Sequence, residues 1–100
     1  MKTIRYAQLA LRDLEEIADY SGRMWGAVQA RRYIADIRDH VTGVAKGQAF
    51  CQKVSSARAD LYRTRIHRHL IIVEITDSCV SVVRILHEAM DIPRHVTLSA

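Results

Sequence analysis

Two apolar runs in the C-terminal half restrict the fold of this chain more than any other feature. Leu70–Ile75 and Val80–Leu86 are rich in β-branched and aliphatic residues, and the polar turn Thr76-Asp77-Ser78-Cys79 separates them. They read as two strands of a hairpin. Both runs are nearly continuous rather than alternating, so the centre of the sheet needs cover on at least part of both faces. One arginine, Arg84, interrupts the second run. A guanidinium within a strand is costly unless it is paired or points into a working groove. Asp60, Glu74 and Asp91 are candidate partners for an ion pair, and a functional site is the other reading.

The rest of the chain supplies that cover. Lys2-Thr3-Ile4-Arg5-Tyr6 alternates polar and apolar residues as a short strand does. Leu11, Leu14, Ile17, Ala18, Met24 and Trp25 then recur at helical spacing, with Arg12, Asp13, Glu15, Glu16 and Asp19 on the other side. This predicts an amphipathic helix from about Ala7 to Met24, with Trp25 as a core anchor and Gly26 as the break. A second helix carries the stripe Ala30, Tyr33, Ile34, Ile37, Val41, Val44 and Ala45, and Gly47 is its expected stop. So short a break predicts a helical hairpin. Residues 48–57 show no period and read as a connector. A first meander strand, Asp60–Ile66, and a turn at His67-Arg68-His69 complete a β-α-α-β-β-β order. The expected fold is α+β, a helical hairpin packed on one face of a small twisted antiparallel sheet. The other face, or a groove beside it, is left for function. Residues 1–100 read as one domain without repeats.

An apolar fraction of 49% with 4 Gly and 1 Pro is that of an ordered globule. Met1-Lys2-Thr3-Ile4-Arg5 lacks the apolar core of a signal peptide, and no apolar stretch is long enough to span a membrane. A cytoplasmic protein with no membrane partner is expected. Cys51 and Cys79 fit no metal or redox spacing and read as free thiols. A net charge of +4 and a pI near 9.4 favour an acidic partner.

Few residues can carry chemistry. Arg63 and Arg65 are two apart in a strand and so share a face that could hold a phosphate, although a solvated basic strand face is the commoner case for such a pair. His67 and His69 lack a third ligand nearby and read as a polar turn rather than a metal site. No glycine-rich phosphate loop or nucleophile elbow occurs, so no cofactor is expected. His87 and Asp91 would share a helical face if the chain turns after the last strand, either as a functional pair or as a tie between tail and sheet.

The segment Val82-Val83-Arg84-Ile85-Leu86-His87-Glu88-Ala89-Met90-Asp91, with Trp25-Gly26, Arg32-Tyr33-Ile34 and Arg58-Ala59-Asp60-Leu61-Tyr62, resembles the ParE branch of the RelE/ParE toxin superfamily. The resemblance runs from Ile4 to about Val96. It implies a toxin of a type II toxin–antitoxin system of the plasmid-stabilisation kind, which poisons DNA gyrase by binding and is neutralised in a hetero-oligomer with its antitoxin. No catalytic residue and no sequence-specific nucleic-acid binding by the toxin alone are then expected. The interface would comprise Arg84, His87, Met90, Asp91 and Ile92, with the antitoxin-binding residues left unassigned. The alternative is a RelE-like, ribosome-dependent messenger RNA endoribonuclease using Arg65, Arg84 and His87. A non-toxic homologue that only binds antitoxin is a third reading. Two departures speak against the nuclease branch. Leu70 stands where many of its members carry an arginine, and the tail Val96-Thr97-Leu98-Ser99-Ala100 has no basic residue or tyrosine.

Overall fold

The computed structural model describes residues 1–54 and 60–88. Strand β1 (Thr3–Tyr6) leads into helices α1 (Gln8–Trp25) and α2 (Ala27–Ala45). A two-residue strand β2 (Gln52–Lys53) comes next, and then the meander β3 (Leu61–Ile66), β4 (His69–Ile75) and β5 (Cys79–His87). The sheet order is β1-β5-β4-β3-β2.

Two features of the sheet differ from the sequence expectation. The sheet is mixed, because β1 runs parallel to β5, from Thr3 opposite Cys79 to Tyr6 opposite Val82. Both helices and strands β2 to β4 lie between the two strands in the chain, a connection long enough to permit that direction, which an alternating pattern cannot report. The connector also contributes β2, which pairs with Tyr62 and Arg63 of β3 but is too short to display a period.

Both faces of the central strands are covered, as their composition requires. Ile71 and Val73 of β4 and Val80, Val82 and Ile85 of β5 pack with Ala10, Leu14 and Ile17 of α1 and Ile37, Val41, Val44 and Ala45 of α2. On the opposite face Leu61, Ile72 and Leu86 cluster with Val54 and Val83. The helix-facing set on β5 skips three positions between Val82 and Ile85, where strict alternation allows two. The register explains the skip. Ile72 lies opposite Arg84 while the next residue, Val73, lies opposite Val82, so Val83 is the extra residue of a β-bulge. The bulge keeps Ile85 in the core and re-aims Arg84 beside it.

Helix α2 buries the stripe read from its sequence: Ala30, Ile37, Val41, Val44 and Ala45 are buried and Tyr33 and Ile34 partly so. It is further tied to β3 through His40 Nε2, 2.7 Å from Thr64 Oγ1. That hydroxyl donates to the Phe50 carbonyl at 2.7 Å, so the imidazole N–H is the donor to Thr64. Helix α1 is rotated from its expected stripe. Its buried face is Ala10, Asp13, Leu14, Ile17 and Ser21, while Leu11, Met24 and Trp25 are 42%, 57% and 60% exposed. Trp25 is therefore not a core anchor. It closes the last turn of α1, and its ring meets Tyr20 edge-on at 5.8 Å on the surface.

Gly26 alone joins the helices, at φ 92 and ψ 165. Its backbone lies in a region that side-chain-bearing residues rarely enter, and no atom lies within 4 Å of where a Cβ would stand. Gly26→Ala should therefore destabilise the protein through backbone strain alone, by roughly 1–3 kcal/mol. Urea unfolding followed by circular dichroism should show a lower midpoint at unchanged slope. An unchanged midpoint would mean that the hairpin has another low-energy link.

Candidate functional site

Strand β1 ends at Tyr6, and the chain turns into α1 after Ala7 donates to the Val82 carbonyl at 2.9 Å. The outer edge of β5 beyond that point would face α1 with unmet backbone donors, which is expensive in a buried setting. Asp13 meets the need. Its Oδ2 accepts the Ile85 amide at 2.8 Å and Arg84 Nε at 2.8 Å, and its Oδ1 accepts Arg84 Nη2 at 3.0 Å. This fork-on-fork geometry is the strongest that an arginine and a carboxylate adopt. Hydrogen bonding to Asp13 outweighs burial and raises the Arg84 pKa further above its ordinary value. Arg84 thus pairs with a carboxylate that the helical pattern assigns to the solvent side of α1. Asp13 is in fact only 8% exposed. Its spacing from Ala10 and Ile17 was the available signal.

Beside this clasp runs a groove of about 1170 Å³ between α1, the start of α2, the β3–β4 turn and the end of β5. Ile17, Tyr20 and Trp25 form its apolar part, and Arg84 and His87 lie on the β5 wall. At the other end sits an imidazole–phenol cluster. Tyr33 Oη is 2.6 Å from His69 Nδ1, and the His67 ring stacks on Tyr33 at 5.2 Å. The His69 ring meets that of His87, its cross-strand neighbour, edge-on at 5.6 Å. Burial, reinforced by the neighbouring His87, lowers the His69 pKa, and burial raises that of Tyr33. His67 Nε2 is engaged 3.0 Å from Asp36 Oδ2.

The arginines on β3 do not join the groove wall. Arg63 donates to Gln52 Oε1 at 3.0 and 3.3 Å. Arg65 is paired with Glu88 and donates to the His67 carbonyl at 3.3 Å. Glu88 also lies 3.5 Å from Arg68. Of the site residues named from sequence, Arg84 and His87 come together, Arg65 lies apart, and Met90, Asp91 and Ile92 lie outside the described residues. Tyr33, His69 and Asp13 were missed as site residues, because their meeting depends on how the helices cross the sheet. Among the described residues no three His, Cys, Asp or Glu side chains converge as a metal site, and no helix is long and apolar enough to cross a membrane.

Residues 4–92 match the model of the ParE toxin of the type II toxin–antitoxin system parDE, and the chain belongs to that family. It is 27% identical over 96 residues to Toxin ParE1 of Caulobacter vibrioides, covering 96% of this chain and 99% of that one. It is 35% identical over 81 residues to Toxin ParE of Escherichia coli, covering 80% and 79% of the two chains. Among solved structures, a chain of the chromosomal ParDE system of P. aeruginosa shares the fold, with a TM-score of 0.68 at 16% identity over 87% of this chain and 96% of that one.

Removing one member of this part-buried pair takes away the charge-assisted hydrogen bonds of the other. Arg84→Ala and Asp13→Ala should each cost about 1.5–3 kcal/mol, and Asp13→Ala also leaves the Ile85 amide without its acceptor. Chemical denaturation of the two variants checks this. A loss below about 1 kcal/mol, the value of a surface pair, would contradict it.

Proposed function

We propose that this ParE-family toxin acts in the cytoplasm by binding DNA gyrase and blocking it, without chemistry of its own, and that a cognate antitoxin neutralises it in a hetero-oligomer. The observation that carries the reading is the commitment of its arginines. Cleavage of RNA through the 2′-OH needs cations for the crowded phosphate as well as an acid and a base. Arg84 is held by Asp13, Arg65 by Glu88 and Arg63 by Gln52. The groove walls are largely apolar and suit packing against a protein. The family relation supports the same target, and the interface is assigned to Arg84, His87 and the segment Met90, Asp91 and Ile92.

The endoribonuclease reading keeps one observation in its favour. Tyr33, His69 and His87 make an imidazole–phenol cluster of the kind that acid–base catalysis employs. The experiment therefore sets the two activities side by side. Supercoiling by purified gyrase should be inhibited by the intact protein, weakened by His87→Ala and abolished by deletion of residues 92–100, each variant first shown to fold. An interface contributes through a few packed residues, so losing such a segment removes more than losing one imidazole. Inhibition that survives the truncation would overturn the assigned interface. Messenger RNA cleavage on translating ribosomes, lost about 10²–10⁴-fold in His87→Ala, would establish the nuclease instead.

A further inference from the structure

The imidazole end of the groove holds one residue, His69, that the proposed gyrase interface does not use. His69 presents two different nitrogens to two different surroundings. Nδ1 is 2.6 Å from the Tyr33 hydroxyl, whereas Nε2 makes no hydrogen bond among the described residues and belongs to a ring that lines the groove. A phenol hydroxyl both donates and accepts. With Tyr33 donating to Nδ1, neutral His69 carries its proton on Nε2. With both nitrogens protonated, Tyr33 turns to accept from Nδ1. Protonation of this ring therefore sacrifices no hydrogen bond, and Nε2 carries an N–H in both states.

Most of the charges around His69 are already distributed among themselves. From α1, Asp13 is held by Arg84, and Glu16 lies on the groove wall, near enough to raise the Arg84 pKa. From α2, Asp36 is held by His67. At the end of β5, Glu88 lies between Arg65 and Arg68. Around His69 stand His87 across the strand pair, His67, which stacks on Tyr33 and holds Asp36, and the exposed Arg68, which Glu88 approaches, while the Glu16 carboxylate lies on the same groove wall. This set adjoins the apolar part formed by Ile17, Tyr20 and Trp25. An apolar trough with one proton-accepting end matches an amphipathic peptide that carries an acidic side chain, and the chain's charge of +4 matches an acidic partner as a whole.

We propose that His69, backed by Tyr33 and flanked by His87 and Arg68, is a carboxylate-binding site that receives an acidic side chain of the antitoxin and takes up one proton from solvent as the complex forms. This rests on the proposal that the chain has an antitoxin partner. In the free groove, burial and the adjacent His87 keep His69 neutral near neutral pH. An incoming carboxylate favours the imidazolium, so the proton goes to the ring nitrogen and the pair is neutral overall. The complex therefore tightens as pH falls, by up to about tenfold per pH unit between the free and bound titration midpoints.

The test uses the full-length chain with the antitoxin that co-purifies with it. Calorimetry between about pH 6 and 8, in two buffers of different ionisation enthalpy, measures affinity and proton uptake together. NMR titration of the imidazole protons locates the group. The expected result is close to one proton taken up, a His69 midpoint at least about one unit higher in the complex, and loss of the pH dependence in His69→Gln. That variant keeps an N–H donor but does not titrate, so its affinity near pH 6 should fall about tenfold, with folding checked by its melting temperature. A complex that forms with no proton uptake, or whose pH dependence persists in His69→Gln, overturns the site while leaving the antitoxin reading intact. Failure of any complex to form overturns both. A raised His69 midpoint with a short RNA and none with the antitoxin would assign the site to phosphate and overturn the proposal.

Discussion

Strand β1 accompanies β5 for four residues and then leaves it, and the β5 edge beyond that point depends on Asp13. Its carboxylate takes the place of the missing strand at the Ile85 amide and holds Arg84 in the same grip. Helix α1 is thereby fixed to the sheet where backbone pairing has stopped. The bulge at Val83 is part of the same arrangement, because it turns Arg84 toward Asp13 while returning Ile85 to the core. Buried pairs of this sort add little to stability relative to a well-packed apolar substitute, yet losing one member is costly. Their value here is that they set position.

The consequence for function lies in which charges are left to act. Arginines in a sheet suggest phosphate chemistry, but three of them are engaged with Asp13, Glu88 and Gln52. The groove offers instead an aromatic surface near the helix junction and an imidazole cluster at the far end. Tyr20 and Trp25 stand exposed beside that junction, where they are available to a partner rather than to the core. Exposed aromatic side chains of this kind are what protein–protein interfaces use as anchors.

Much of the architecture was legible in the sequence because burial writes periodicity. The near-continuous runs Leu70–Ile75 and Val80–Leu86 required cover on both faces, and both faces are covered. The α2 stripe and the break at Gly26 came from spacing and from glycine's freedom. The features that escaped did so for physical reasons. Asp13 is buried because a sheet edge needs an acceptor there, and that need exists only once β1 is known to end at Tyr6. Trp25 is apolar but lies in the last turn of α1, where it meets Tyr20 on the surface. Strand direction leaves no trace in an alternating pattern, so the parallel pairing of β1 was not readable. Arg84 announced that it required a partner, whereas the identity of the partner, 71 residues away in the chain, came only with the fold.

The central claim is that Asp13 and Arg84 act as one unit holding α1 to the free edge of β5. A double-mutant cycle, with Asp13→Ala, Arg84→Ala and both together followed by urea unfolding, measures their coupling directly. The account predicts strong non-additivity, with the double variant more stable than the sum of the single losses by about 2–3 kcal/mol. Additive losses, agreeing within about 0.5 kcal/mol, would contradict it.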